Sequence, residues 1–398
     1  MPSIPVQGME RSNLQIMKLL RQRGAEVLFV LDRLSPETPG EVERIDCEAA
    51  LATFYRGFEV RLHLSRNPVE MLHVADAWRQ SATEVDHIFR SYRPTHIHVT
   101  NLNYFLFALP TLWRARCPVV FRLPNPPDTD LPLRKQPLSD WIWRRCVLPY
   151  CDAVVCNSHY TLGQVKRFGV RGDRAHVIRN CLATCESHGD SDAPQVRPGK
   201  FNVVYCGRIR PEKGVGQLCE AARKIIGMRS DVDFYVAGEY HWMNPFADQL
   251  VAEVRAHGLH ERIRFLGPIR DVLGLLQRCH LHVCPSTGPL ESFPNVILEA
   301  KSQGLPSVVF PTAGIPEGMR HLVDGYVCRG VTAESLAEGI RFYVDQPDQL
   351  SRHGKAAKES LTQKFSEEKI GDQWAELYSG LALSRKHNGS GTQGSAIA

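Results

Sequence analysis

Two glutamates, Glu291 and Glu299, lie at opposite ends of a short predicted helix, and their spacing suggests that they hold different parts of one ligand. Pro294 suits the first turn of that helix, where its missing N–H group would have no partner anyway. The free amides of this turn point into the preceding loop, where an anion is the expected ligand. Glu299 lies roughly 8 Å beyond Pro294 along the helix axis, at about 1.5 Å per residue. A diphosphate at the helix start would leave Glu291 near one end of the ligand and Glu299 near a ribose at the other.

The elements around these glutamates form a β-loop-α-β unit within residues 284–317. The apolar run before Pro285 predicts the end of a strand, and Ser292 with Pro294 opens the helix. Residues 307–310 predict a second strand, which stops at a Pro-Thr-Ala-Gly turn. The polar groups therefore gather at the loop ends of this unit.

Two cations, Arg208 and Lys213, follow another predicted strand, Phe201–Cys206. Gly207 between them and the strand permits a tight turn and a close approach of the backbone. The carboxyl end of a parallel strand is the usual ligand site in such sheets. This pattern predicts an anion site, and a basic turn facing solvent is the alternative interpretation.

Both regions resemble motifs of a known family. The string E-S-F-P-N-V-I-L-E-A, followed by G-L-P and G-I-P-E, is similar to the donor-site signature of the retaining family-four glycosyltransferases. The string G-R-I-R-P-E-K-G resembles that family's G-R-x-x-x-x-K-G motif. Two glutamates at this spacing would be weak evidence alone, since a surface helix can carry them, but the surrounding string is much more specific. The resemblance implies the α/β fold called GT-B, in which two Rossmann-like, doubly wound parallel-sheet domains face each other across a cleft.

The resemblance also implies a role for each matching residue. Arg208 and Lys213 would hold the donor diphosphate and stabilise the charge that grows on the departing nucleotide. Glu291 would contact the sugar hydroxyls and Glu299 the ribose, and Glu291, Arg208 and Lys213 are the predicted catalytic residues. Further predicted donor-binding residues supply turns, amides or nearby contacts: Gly8, Gly207, Gly238, Ser292, Phe293, Asn295 and Val296.

The order of predicted elements divides the chain into two comparable halves. Strands that alternate with helices predict parallel sheets covered on both faces. We predict an acceptor-side domain over residues 1–184, a polar linker over 185–200 and a donor domain over 201–365. The GT-B resemblance implies that a helix over 366–385 crosses back to the first domain, and residues 386–398 are too small and polar to pack.

The first domain departs from the family pattern in two places. Its opening, MPSIPVQG, contains two prolines and cannot form the central first strand that normally precedes the glycine turn at Gly8. We therefore expect that the natural product begins upstream of Met1. After the predicted strand ending near Phe121, Pro124 and Asn125 stand where the family usually has a histidine, and Arg122 or Asn125 is the nearest candidate to replace its hydrogen bonds.

The composition is that of a soluble globular enzyme, and the motifs do not indicate a resident metal. The 398 residues are 43% hydrophobic and 23% charged, and the net charge of +5 is spread too evenly to indicate nucleic acid. The twelve cysteines include no C-x-x-C pair, and neither Cys156 with His159 nor Cys185 with His188 has enough neighbours for zinc. The chain contains three Asp-x-Asp pairs, a number that chance explains. Arg208 and Lys213 make a divalent cation unnecessary. We expect no metal and no cofactor, with the nucleotide sugar as substrate.

Residues 131–150 mix aromatic and basic side chains. Trp141 and Trp143 beside Arg144 and Arg145 would suit docking on an anionic leaflet. The preferred interpretation is a helix packed by its tryptophans with a solvated basic end. The chain has neither a secretory signal peptide nor a run of eighteen apolar residues. A cytoplasmic location is therefore expected, with peripheral contact on the inner face of the membrane left open.

These observations predict a retaining, metal-independent glycosyltransferase that moves a sugar from a nucleotide sugar to an acceptor in the interdomain cleft. The acceptor could be a glycan, a lipid-linked sugar or a small molecule. A non-catalytic nucleotide-sugar-binding subunit is the alternative, because the first domain lacks its usual strand and histidine. An epimerase of the same fold fits less well, since both strings match transferases.

Overall fold

The computed structural model of the protein describes residues 8–32, 48–52, 68–127, 136–182, 194–239 and 245–390. The chain divides into two units: unit 1 is Met1–Arg179 with Glu367–Ala398, and unit 2 is Asn180–Ser366. Each unit contains its own parallel β-sheet, as the alternation of predicted strands and helices indicated.

Unit 1 alternates helices and strands along the chain. They are α1 (Gly8–Arg21), β1 (Leu28–Asp32), β2 (Glu48–Ala52), α2 (Pro68–Tyr92), β3 (Ile97–Val99), α3 (Leu102–Arg114), β4 (Val119–Leu123), α4 (Gln136–Trp141), β5 (Ala153–Cys156), α5 (His159–Lys166) and β6 (Ala175–Val177). A π-helical segment, Ile142–Val147, and a 3-10 turn, Leu148–Tyr150, continue from α4. Strands β3, β4, β5 and β6 form a four-stranded parallel sheet in that order, while β1 pairs with β2 separately.

The core of unit 1 lies around β4, which is buried along its whole length. Its sequence, VVFRL, is the nearly continuous apolar run expected of a strand covered on both faces. The predicted strands near β1, β3, β4 and β5 are all present. Strand β2 was not predicted because EAALA consists of residue types with low β-propensity, and a strand predicted at residues 59–64 lies outside the described residues.

A C-terminal helix, Glu367–Ser390, belongs to unit 1 and packs against α1 and β3. Arg23, in the turn after α1, contacts Asp372 at 2.7 Å, and Trp374 is completely buried. The Tyr378 hydroxyl lies 2.6 Å from Nδ1 of His98. Burial, and then the nearby charge of Arg122, lowers the pKa of His98 to about 3, so this ring stays neutral. The helix extends to Ser390, into the segment predicted as a polar tail.

Unit 2 contains the larger sheet. Its elements are β7 (Phe201–Cys206), α6 (Val215–Met228), β8 (Val232–Ala237), α7 (Pro245–Ala256), β9 (Ile263–Gly267), α8 (Val272–Gln277), β10 (Leu281–Cys284), α9 (Asn295–Ser302), β11 (Ser307–Val309), β12 (Gly325–Val327), α10 (Ala333–Asp345) and α11 (Pro347–Lys364). The strand order is β12-β11-β10-β7-β8-β9, and all neighbouring pairs are parallel. Successive residues of β7, such as Val203 and Val204, belong to hydrophobic clusters on opposite faces of the sheet.

The strand order of unit 2 reverses between β7 and β10. From β7 the chain moves outward to β8 and β9, whereas from β10 it moves the other way to β11 and β12. The loops after β7 and β10 therefore meet at the carboxyl edge of the sheet, where sheets of this topology have their crevice. Such a switch point is where open parallel sheets bind their ligands.

The end of the segment predicted as a linker is part of unit 2. Val196 packs against the cluster on one sheet face, and the main-chain N–H of Arg197 donates to the Tyr235 hydroxyl at 2.8 Å. The Arg197 side chain also contacts the buried Asp233 at 2.6 Å. The polar, turn-rich sequence of this segment does not predict these contacts, because each one depends on a residue distant in sequence.

Candidate active site at the switch point of the second sheet

The loop after β7 is fixed by close contacts between glycines. The N–H of Gly207 donates to the carbonyl of Ala237 at 2.9 Å. A Cβ atom on Gly238 would lie 1.7 Å from the carbonyl oxygen of Gly207, so only glycine fits there. Ile209 is completely buried, while Arg208 is exposed. The loop therefore directs the Arg208 side chain toward solvent at the carboxyl edge of the sheet.

The loop after β10 contacts the loop after β7 directly. The N–H of Thr287 donates to the carbonyl of Glu212 at 2.9 Å. Gly214, with φ +69°, lies so close to Pro285 that a Cβ atom would be 1.7 Å from its carbonyl oxygen. Both contacts place the short 3-10 turn Pro211–Lys213 against the start of the β10 loop.

Lys213 and Glu291 form an ion pair across the switch point. The exposed fractions of the two side chains are 22% and 15%, so the pair is partly shielded from water and still open to a ligand. Ser286 Oγ donates to the same carboxylate oxygen at 3.3 Å. The structure thus brings together two residues that the sequence assigned to different parts of a donor, the sugar and the diphosphate.

Two other polar side chains in this crevice are unsuited to nucleophilic chemistry. Burial, and then the nearby Glu291 carboxylate, raises the pKa of the Cys284 thiol to about 12, although Lys213 opposes this shift. Burial, followed by the charges of Cys284 and Glu291, likewise raises the pKa of the Tyr205 phenol. A thiol protonated at neutral pH is a poor nucleophile, so Cys284 is not a candidate for that role.

Helix α9 begins at Asn295, one residue later than predicted. Pro294 is the residue that precedes the helix, with φ −66° and ψ 125°, instead of a member of its first turn. Asn180 Nδ2 donates to Asn295 Oδ1 at 2.7 Å and to the carbonyl of Phe293 at 3.3 Å. Proline's fixed φ permits this extended conformation, and the contacts of Asn180 hold the helix start in place.

Several predicted residues before and within α9 pack into the interior of unit 2. Ser292 is 1% exposed, and Phe293 packs against Phe365 with ring centroids 5.5 Å apart. Val296 packs on the cluster that contains Cys206. The Phe293 and Val296 side chains are therefore packing residues, and a ligand role at these positions would fall to the backbone.

Glu299 lies half-buried near the end of β7. After burial, its carboxylate is the largest cause of the raised pKa of the Cys206 thiol. The Glu291 carboxylate is near the same strand end, since its charge contributes to the raised pKa of the Tyr205 phenol. Glu291, before α9, and Glu299, within α9, thus both lie near the carboxyl end of β7.

Ten of the eleven predicted site residues lie in unit 2, and Gly8 is the first residue of α1 in unit 1. In unit 1, Arg122 is 1% exposed and donates to Ser12 Oγ at 2.9 Å. It also contacts the Asn13 side chain. Asn125 is exposed. Arg122, considered as a substitute for the family's histidine, is therefore engaged with α1.

Sequence reasoning missed Ser286 and Asn180 as parts of the site. Ser286 directly follows Pro285 at the end of β10, and that position at a strand's carboxyl end was the available signal. Asn180 lies just before the predicted linker, and its contact with Asn295 spans 115 positions in sequence. No local pattern predicts a contact of that range.

The proposed membrane-facing set needs a correction. Trp143 is 2% exposed and stacks between Phe121 and Phe168, with centroid distances of 5.7 Å and 5.3 Å. It cannot reach a bilayer. Trp141 is 54% exposed, and Arg144 and Arg145 are also exposed. The preferred interpretation of a packed helix with a solvated basic end holds for Trp143 and the arginines but is wrong for Trp141.

Within the part of the chain that the structure describes, no group of three or more His, Cys, Asp or Glu residues is arranged to hold a metal ion. The cysteines described there are free thiols. Cys185 and His188 lie outside it, as does one of the three Asp-x-Asp pairs, Asp128 with Asp130. None of the described helices combines the length and apolar character needed to cross a bilayer.

Comparisons with known proteins agree with the strand topology and the motifs. A family model described as Glycosyltransferase Family 4 matches residues 6–184, and one described as Glycosyl transferases group 1 matches residues 190–360. Glycogen synthase of Mycobacterium tuberculosis is 29% identical over 227 residues, which are 56% of this chain and 53% of that protein. The chain thus matches about half the length of that relative.

Two further similarities extend over nearly the whole chain. The lipopolysaccharide core biosynthesis glycosyltransferase LpsD of Rhizobium meliloti is 25% identical over 375 residues, which are 93% of this chain and 94% of that protein. The structure of Anabaena HepE in complex with UDP has a TM-score of 0.75 at 20% identity, covering 94% of this chain and 96% of that one. This structural likeness confirms the GT-B fold.

Proposed function

The chain belongs to family 4 of the glycosyltransferases, and from this membership we propose that it transfers a sugar from a nucleotide sugar to an acceptor with retention of configuration. The observation that carries the proposal is the arrangement at the switch point between β7 and β10. Arg208 and Lys213 belong to the loop after β7, and Glu291 belongs to the loop after β10. Lys213 and Glu291 are in contact.

Each charged residue has a distinct task in this reaction. The diphosphate would bind Arg208 and Lys213, which stabilise the negative charge that develops as the sugar–oxygen bond breaks. Donor binding would separate Lys213 from Glu291 and leave Glu291 to contact the sugar hydroxyls. Glu299 would accept hydrogen bonds from the ribose. Two fixed cations supply the charge stabilisation that a divalent metal would otherwise give, so we propose a metal-independent reaction.

The nucleotide is the first property to test. UDP is the leading candidate because Anabaena HepE, which has the same fold, was solved in complex with it. We expect UDP to raise the melting temperature of the full-length chain and UDP-sugars to be hydrolysed slowly in the presence of EDTA, since a ligand that binds only the folded state stabilises it. Lys213→Ala should abolish the hydrolysis, and Arg210→Ala, in the same loop, should not. If no nucleotide sugar among UDP, GDP and ADP derivatives shifts the melting temperature, the proposal is wrong.

A binding subunit without turnover is the second candidate. It is favoured by Asn125 at the family's histidine position and by the engagement of Arg122 with Ser12. The same experiments separate the two functions: a binding subunit shows the melting shift without hydrolysis or transfer, whereas a transferase shows both.

We also propose that the exposed side of α4 and the π-helical segment docks on an anionic membrane surface from the cytoplasm. Leu138 and Trp141 are 43% and 54% exposed and lie three residues apart on one helical face. Arg144 and Arg145 follow on exposed positions. Apolar side chains beside cations match the interface of a bilayer that contains anionic lipids.

Sedimentation with vesicles tests this docking. The protein should pellet with phosphatidylglycerol vesicles at low salt, be released by high salt, and remain in solution with phosphatidylcholine alone. Trp141→Ala should weaken the association. An exposed tryptophan on α3, Trp113, provides the matched control as Trp113→Ala. Pelleting that is absent at low salt, or equal for both variants, would contradict the assignment.

A further inference from the structure

A surface pocket of about 680 Å³ lies in unit 2 at the amino ends of β7 and β10. Lys200 precedes β7, and Arg278 and His280 precede β10. The candidate active site lies at the carboxyl ends of the same strands. Since β7 has six residues and a strand rises about 3.3 Å per residue, the two places are roughly 20 Å apart. The pocket is therefore separate from the switch point.

The wall of this pocket is basic. Its described lining includes Arg197, Lys200 and Arg278 and contains neither Asp nor Glu. Arg197 is paired with the buried Asp233 at 2.6 Å, whereas Lys200 donates only to the carbonyl of Ser230 at 2.9 Å among the described contacts. The described part of the lining thus carries more basic than acidic side chains.

One carboxylate lies close enough to influence Lys200. Arg229, and more weakly Lys200, lowers the pKa of Asp231 to about 2. Arg229 binds both oxygens of Asp231, at 3.0 Å and 2.8 Å, and it also contacts Asp345 at 2.8 Å. Among the described residues, Lys200 forms no ion pair with Asp231 or with any other carboxylate.

Two uncharged groups in the wall have defined hydrogen-bonding roles. The N–H of Asn202 donates to Nδ1 of His280 at 3.1 Å, which places the proton of the neutral imidazole on Nε2. The His280 ring stacks on Phe201 with centroids 5.2 Å apart. Asn202 itself is 2% exposed, and its Oδ1 has no hydrogen-bond partner among the described residues. A buried acceptor that lacks a donor destabilises the folded state.

We propose that this pocket binds a phosphorylated sugar. The phosphate would be held by Lys200 and Arg278 and would accept a hydrogen bond from Nε2 of His280. Sugar hydroxyls would supply the donor that Oδ1 of Asn202 lacks, and one face of the sugar would rest on the Phe201–His280 ring pair. Small-molecule sites commonly have volumes of about 300–1,000 Å³, a range that includes this pocket. Such a site would take an effector and not the donor of the transfer reaction.

Calorimetry on the full-length chain tests the site, with glucose 6-phosphate, glucose and inorganic phosphate as probes. Glucose 6-phosphate should bind more tightly than either of the other two, since only it engages both the cations and the hydroxyl-binding wall. Lys200→Gln and Arg278→Gln should each weaken its binding about tenfold. Lys358→Gln, which removes an exposed lysine from α11, is the matched control and should leave binding unchanged.

A second variant excludes the switch point as the place of binding. Lys213→Gln should not affect glucose 6-phosphate affinity, because Lys213 lies at the other edge of the sheet. A loss of binding in Lys213→Gln with none in Lys200→Gln would overturn the proposal. Binding of inorganic phosphate as tight as that of glucose 6-phosphate would overturn the sugar contact, and the absence of binding at millimolar concentration would overturn the site. None of these outcomes depends on transferase activity.

Discussion

At the scale of single residues, the ion pair between Lys213 and Glu291 is the centre of the candidate site. Both side chains are less than a quarter exposed, and Ser286 orients the carboxylate. In the free protein each group neutralises the other, so neither charge is left unpaired in the crevice. A diphosphate that takes Lys213 would release Glu291 for the sugar, and the two residues would then act on different parts of the same donor.

The division of tasks between the cations and Glu299 can be measured. Arg208→Ala should lower kcat because the charge that Arg208 opposes grows on the way to the transition state. The expected loss is about 2.7–4 kcal/mol of transition-state stabilisation, or 10²–10³ in rate. Glu299→Gln should instead raise the donor KM and leave kcat nearly intact, because the charge of a ribose does not change during the reaction. Steady-state kinetics with varied donor checks both expectations. A Glu299→Gln enzyme with normal donor KM and no turnover would show that the two ends of the site are reversed.

The glycine contact that shapes the β7 loop gives a second prediction. Gly238→Ala should destabilise the protein by several kcal/mol, as backbone clashes do, because its Cβ would lie 1.7 Å from the carbonyl oxygen of Gly207. Gly227→Ala is the matched control, since nothing lies within 4 Å of its added Cβ and alanine favours the helix it occupies. Urea denaturation measures the difference. Equal stability of the two variants would contradict the described loop geometry.

At the scale of elements, α9 carries Glu299, and a buried ion pair connects this helix to neighbouring segments of unit 2. Lys301 on α9 is 1% exposed and contacts the carboxylate of Asp324, itself 2% exposed, at 3.3 Å. Its Nζ also donates to Ser360 Oγ on α11 at 2.8 Å. Asp324 accepts further hydrogen bonds from the backbone and side chain of Arg320. These contacts connect α9 to the segment before β12 and to α11.

Removal of one member of this pair should be costly. Asp324→Asn leaves the Lys301 charge buried without its partner, which we expect to lower the free energy of unfolding by about 3–5 kcal/mol. Asp345→Asn, which affects an exposed pair with Arg229, should cost about 0–1 kcal/mol. Adding Lys301→Met to Asp324→Asn should recover much of the loss, because no unpaired charge then remains. Denaturation of all variants checks this cycle; equal losses for the two aspartates would show that burial of the pair is unimportant.

The elements also show what the sequence could and could not predict. The loops after β7 and β10 were predictable because each follows an apolar run and carries a specific string of charged residues, glycines and prolines. The burial of Trp143 was not, because it depends on Phe121 and Phe168, which belong to distant parts of the chain. The same holds for Arg122, whose partner Ser12 is 110 positions away. Local patterns identify elements and their ends, whereas partners across the sheet come from the tertiary fold.

At the scale of the whole molecule, the chain returns to unit 1 after completing unit 2. The C-terminal helix is held in unit 1 by the contact of Arg23 with Asp372 and by the burial of Trp374. Unit 2 ends at Ser366, just after Phe365 has packed against Phe293. The contacts that shape the start of α9 are thus complete within residues 180–366.

This organisation predicts how fragments of the chain should behave. A fragment of residues 180–366 should fold and bind the nucleotide with an affinity close to that of the full-length chain, because ten of the eleven predicted site residues lie within unit 2. It should not transfer sugar, since the domain that the family resemblance assigns to the acceptor is missing.

A shorter fragment, residues 201–366, should bind the nucleotide more weakly although it retains every strand of the sheet. It lacks Asn180, which holds Asn295 and Phe293 at the start of α9, and Arg197, which pairs with the buried Asp233. Asn180→Ala in the longer fragment separates these two effects: it should weaken nucleotide binding while the melting temperature falls less than in the shorter fragment. Calorimetry and thermal unfolding of the three proteins check the order. If the shorter fragment binds the nucleotide as tightly as the longer one, the contacts of Asn180 do not support the donor site.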